Sequence, residues 1–120
     1  MSVWEKFFNA IRILAIENKS IKGRLYDAVV FNILILTDND FSEEGFDDLR
    51  DQHKKLIDEL TCVDALSDEG KLRATINKMS SEEASEIADK IVSMFNEMWR
   101  GILLSIYDEV MIEDDNDAKM

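Results

Sequence analysis

Residues 20–36, SIKGRLYDAVVFNILIL, decide how the rest of the chain is read. From Val29 to Leu36 every residue except Asn32 is apolar. Such a run is too short to cross a bilayer, which takes about 20 apolar residues. It has no clean period, so it is either a buried strand or a helix that is apolar on nearly every side. The flanks favour a helix. The Ser20 hydroxyl stands where it can accept from a free first-turn N–H, and Leu25, Ala28, Val29, Asn32, Ile33 and Leu36 recur at steps of three and four. The stop is Thr37-Asp38-Asn39-Asp40, whose side chains prefer local bonds to the backbone over a continued helix. A helix apolar on most faces must lie among other helices. The segment is therefore expected to be the central helix of a bundle.

Helices are expected on both sides of it. Over 3–17 the residues Val3, Phe7, Ile11, Leu14 and Ala15 form one stripe, which Trp4 and Phe8 widen. That is more apolar surface than one neighbour covers, so the helix either is well buried or keeps a face for a second chain. The link 18–20 is short, so the first two helices are expected to be antiparallel neighbours. Ser42 is expected to cap a third helix over 42–61, with Phe46, Leu49, His53, Leu56, Ile57 and Leu60 inward and Glu43 and Glu44 at the positive end of its dipole. Residues 62–70 read as a connection pinned by Val63, Ala65 and Leu66, and 71–79 as a short helix with Leu72 and Ile76 inward.

Ser80 and Glu83 then have the spacing of a capping box. The longest periodic segment follows: Ala84, Ile87, Ala88, Ile91, Met94, Phe95, Met98, Trp99, Ile102, Leu103, Ile106 and Val110. At 1.5 Å per residue an unbroken helix there is about 45 Å long, so it is expected to kink at Gly101 or to project beyond the bundle. The fold class predicted is all-α: four or five helices around a central apolar one, with a long C-terminal helix. Residues 1–112 are read as one domain and 113–120 as a disordered acidic tail. With no proline and four glycines among 120 residues, the chain lacks the turns that a strand-rich sandwich needs.

Charge narrows the functions. The net charge is −12. Residues 1–37 carry Lys6, Arg12, Lys19, Lys22 and Arg24 against Glu5, Glu17 and Asp27, so the whole excess of acid lies beyond them. Direct binding to nucleic acid is disfavoured, because that affinity comes from neutralising phosphates with Lys and Arg. Anionic membranes are disfavoured for the same reason. No export leader is read at the start, and the cytoplasm is the expected location.

Cys62, the single cysteine, cannot form an internal disulfide or a thiolate zinc site alone. His53, the single histidine, lies on an apolar stripe with no HxxxH or ExxH partner, which suits a core residue bonded through one ring nitrogen better than a metal ligand. Asp38, Asp40 and Ser42 fit the first ligand positions of a calcium loop, but Glu43 stands where glycine is required and Leu49 where the bidentate Glu belongs. There is no phosphate loop, nucleophile elbow or CxxC. No catalytic, cofactor-binding or metal-binding residues are assigned, no cofactor is expected, and the chain is not read as an enzyme.

The better-supported features are binding features. Trp4, Phe7 and Phe8 form one aromatic cluster at helical spacing, and Met94, Phe95, Met98 and Trp99 a second. Most of these residues are expected to pack in the core, yet Trp and Met are also favoured at interfaces. The candidate interaction surface is Trp4, Phe8, Met98 and Trp99, with Asp47, Asp48 and Asp51 beside them. The leading expectation is an adaptor, inhibitor or immunity-type protein that docks a helix face on a protein partner, with a homodimer as one way to cover the spare surface. The alternative is an acidic mimic of nucleic acid that blocks a basic DNA- or RNA-binding enzyme.

Overall fold

The computed structural model describes residues 2–43 and 45–118, with side chains described as far as Glu109. It is an all-α fold of five α-helices, without strands among the described residues. Helix α1 spans Val3–Ile16, α2 Ile21–Ala28, α3 Asp47–Leu60, α4 Asp68–Lys78 and α5 Ser81–Ala118. The expected fold class is the observed one. The tail read at 113–120 falls outside the residues whose side chains are described.

The cap residues work largely as the sequence implies. Ser20 Oγ accepts from the Gly23 N–H at 3.2 Å and starts α2. At α5, the Glu83 N–H donates to Ser80 Oγ at 3.0 Å, and the Ser80 N–H donates to Glu83 Oε1 at 3.1 Å. Both halves of the capping box are therefore made. Helix α4 starts earlier than its apolar pattern suggests, because Ser67 Oγ accepts from the Gly70 N–H and nucleates the turn at Asp68.

The decisive stretch is helical but not uniform. After Ala28, α2 passes into a π-helical turn, Val29–Ile33, closed by the Leu34 N–H on the Val29 carbonyl at 2.8 Å. Leu25, Ala28, Val29 and Ile33 are fully buried, and α2 meets α1, α4 and α5. Asn32, the polar break, is buried and donates from Nδ2 to the Ala28 carbonyl at 3.1 Å. The segment is central, yet it is not enclosed on every side: Phe31 and Ile35 face outward.

The third helix begins later than expected. The Thr37 N–H and hydroxyl both bond Asp40 Oδ2, and this capping box winds Asp38–Phe41 into a 3₁₀ turn. Gly45, at φ +91°, then reverses the chain in the left-handed region that glycine alone enters freely. The cap position of α3 is therefore Phe46 and not Ser42, and α3 starts at Asp47. The shift seats Phe41 in the core against His53, with ring centroids 5.0 Å apart. Leu66, expected to pin the α3–α4 connection, is instead fully exposed, whereas Val63 and Ala65 are half-buried.

The helix that ends the fold leaves its own bundle. Ala84, Ile87, Ile91, Met94 and Met98 are buried, and from Trp99 to Glu109 no residue is. Helix α5 runs unbroken through Gly101, where a Cβ would meet nothing within 4 Å. Of the two outcomes expected for its length, it projects. The molecule is accordingly long, 64 × 29 × 22 Å.

Candidate functional site

Four rings from two helices meet at the place where α5 leaves the bundle. Trp4 and Phe8 are one turn apart on α1, and Phe95 and Trp99 one turn apart on α5. Spacing of i, i+4 puts each pair on one face, and the contact of α1 with α5 brings the pairs together. Trp4 stacks on Phe8 at 5.5 Å with planes 4° apart. It also meets Phe95 at 5.8 Å and Trp99 at 5.6 Å, both tilted by 34°. Phe8 closes the set on Phe95 at 6.1 Å. These are the offset and tilted arrangements that ring quadrupoles favour.

The cluster is a surface with a buried root. Trp4 and Phe95 are half-buried, whereas Phe8 is 40 % exposed and Trp99 42 %. Met98 lies fully buried in the core next to them, so it supports the rings from within and is not available to a partner. Phe95, which the sequence places in the cluster but not on the candidate surface, is an integral part of it.

Beside the rings is a cleft of about 500 Å³, lined by Trp4, Trp99, Ile102, Phe46, Asp40 and Glu43 among others. The Trp4 indole N–H is buried without a hydrogen-bond partner among the described residues. The acidic candidates lie next to this cleft in sequence, on the first turns of α3 after Phe46. All three are exposed, and Asp47 is drawn to Arg50 at 3.7 Å. Gln52 ties this end of α3 to α5 through bonds to Asp48 and Glu97. The structure therefore joins Trp4, Phe8 and Trp99 directly, through Trp4.

The chemically reactive side chains do not converge. His53 is buried on α3, where its Nε2–H donates to the Ile33 carbonyl at 3.0 Å. Burial pushes its pKa down, against the opposing pull of the Ile33 bond and of Asp38 and Asp40. The ring is thus a neutral strut between α3 and the π turn. Cys62 is exposed on the connection beyond the end of α3, while His53 faces inward, so they form no nucleophile–base pair. No cluster of three potential metal ligands occurs among the described residues.

One carboxylate pair does communicate. Its hydrogen bond with Asp27 holds the Glu17 carboxyl above the usual range, and the same bond with the help of Lys19 holds Asp27 below it. Lys19 bridges the two acids, which makes this a salt-bridged clasp across the α1–α2 turn.

Comparison with known proteins gives no match: no family model, curated protein or solved structure matches this chain. No helix among the described residues is long and apolar enough to cross a membrane.

Proposed function

We propose that this chain is a small non-catalytic interaction protein, of the adaptor, inhibitor or immunity type, that docks its Trp4–Phe8–Phe95–Trp99 face on a protein partner. The observation that carries the reading is the half-exposed, mutually stacked ring cluster at the α1–α5 junction. Trp is among the residues that dominate binding energy at interfaces. Rings already held between two helices lose little freedom on docking, which lowers the entropic cost of association. Carboxylates flank the patch, with Asp40 and Glu43 in the cleft and Asp47, Asp48 and Asp51 on the adjoining helix. The matching partner surface has an apolar pocket at its centre and basic residues at its rim.

Mimicry of nucleic acid draws less support. It requires carboxylates strung like phosphates along one ridge. Here Lys54 pairs with Asp38 at 3.3 Å and Arg50 with Asp47, so cations break the acidic run.

The test is affinity capture of a stoichiometric protein partner from the source cell at low and high salt, with wild type, Phe8→Glu and Asp48→Asn compared. Docking through the rings predicts a complex that survives high salt and is lost with Phe8→Glu. A complex indifferent to Phe8→Glu but abolished by salt and by Asp48→Asn would replace this reading with mimicry.

A further inference from the structure

The part of α5 beyond the bundle presents an apolar surface that the chain itself does not cover. Trp99 is 42 % exposed, Leu103 46 %, Leu104 55 %, Ile106 52 % and Tyr107 59 %. At 100° per residue, Trp99, Leu103 and Tyr107 follow one line along the helix, and Arg100 and Leu104 flank it. Together with Asn96 they border a shallow groove of about 530 Å³. A helix of this length is marginal in water unless an apolar face is packed.

We propose that the occupant of this face is a second copy of the chain, in a two-fold antiparallel pairing of the α5 projections about an axis near Leu103. The inference goes beyond the docking reading, because it concerns a different partner and the stretch that runs outward from Trp99, the one residue the two faces share. Two observations favour a second copy. The first is charge. In a chain of net charge −12, residues 98–107 hold a single charged side chain, Arg100. Like-charge repulsion between copies is therefore small along this stretch. Asp108 and Glu109 come directly after it. With the axis near Leu103, antiparallel helices bring Arg100 of each copy beside Tyr107 of the other, setting cation against ring. A parallel pair would instead set Arg100 level with Arg100. The second observation is area. With large apolar side chains at about 150–250 Å² each, the five exposed fractions amount to roughly 500 Å². That is more than half of the ~800 Å² per partner found in standard stable interfaces, before stems and backbone are added. An isologous contact uses the same patch twice, so each copy covers the surface that the other leaves open.

Light scattering and sedimentation of the purified chain over a nanomolar to high-micromolar series decide the pairing. The expected mass at the upper end is twice the 13.8 kDa of one chain. Leu103→Glu and Tyr107→Glu, both at exposed positions, are expected to keep the helical circular dichroism and to weaken pairing by roughly a hundredfold, the effect of a charge placed in an apolar interface centre. Orientation is read in a Cys62→Ser background, which removes the exposed thiol. Leu103→Cys is expected to crosslink on mild oxidation. Asn96→Cys, about 10 Å along the helix from the axis, is not, because a disulfide requires Cα atoms within about 7 Å. A single-chain mass throughout the series overturns the pairing, and crosslinking through Asn96→Cys overturns its direction. A monomer that still holds a protein partner through Phe8 would defeat the pairing alone. A dimer that captures nothing else would defeat the docking reading alone.

Discussion

Helix α5 has two halves written in the same pattern and used in opposite ways. From Ala84 to Met98 the positions Ala84, Ile87, Ile91, Met94 and Met98 fall every three or four residues, and all five are buried. From Trp99 to Tyr107 apolar residues recur at similar spacing, and none is buried. The difference does not lie in helix propensity or amphipathicity, because both halves are continuous helix. It lies in what stands opposite. Helices α1, α2 and α3 all pack against α5, whereas past Trp99, which meets Trp4, and the half-buried Ile102 the residues to Glu109 are all exposed. A hydrophobic stripe states that a face is to be covered and does not say by which chain.

The contrast predicts a large asymmetry between equivalent truncations. Ile91→Ala, at a fully buried position, should cost about 2–5 kcal/mol through lost burial and a cavity. Ile106→Ala, half-exposed, should stay within about 0.5 kcal/mol in dilute protein. Urea denaturation of the two variants measures both, and similar losses would show that the outer half is packed after all.

Acid should act on the packed side. His53 has a folded-state pKa below its ordinary value because burial disfavours the charged ring. Below pH 6.5 the unfolded chain takes up a proton that the folded chain resists. Stability is therefore complete above that pH and declines as the pH falls through the folded-state value. Urea midpoints measured from pH 8 down to pH 5 should decline along the lower part of that range. His53→Gln should flatten the decline, and an unchanged slope would mean that carboxylates cause it.

The smallest of the three effects concerns the start of the same helix. Ser80→Ala removes the hydroxyl that accepts from the Glu83 N–H and should cost about 1 kcal/mol. Thermal melts would register it as a modest drop. Hydrogen exchange would add a sharper readout, with faster exchange in the first turn of α5 and no change around Leu103.

Much of this was legible in the residues. Ser20 and Ser80 declare helix starts because their hydroxyls satisfy backbone donors that have no other partner, and that need is local. His53 on the apolar stripe of α3 signals a buried imidazole, and its bond to Ile33 fits that signal. Ser42 does not start α3, because the Thr37–Asp40 box winds a separate turn and Gly45, at φ +91°, stands between that turn and Asp47. Two acceptable caps within a few residues cannot be ranked from spacing alone.

The candidate surface divides along the same line. The sequence placed Trp4 beside Phe8 and Phe95 beside Trp99, since i, i+4 neighbours on a helix must share a face. That these two pairs stack on each other, that Met98 turns inward while Trp99 turns out, and that Leu104 and Tyr107 lie open was decided by where α1 meets α5 and where the bundle stops. Periodicity and caps are fixed by neighbours along the chain, and the sequence determines them. Which stripe is covered depends on helices distant in sequence, and only the tertiary packing decides it.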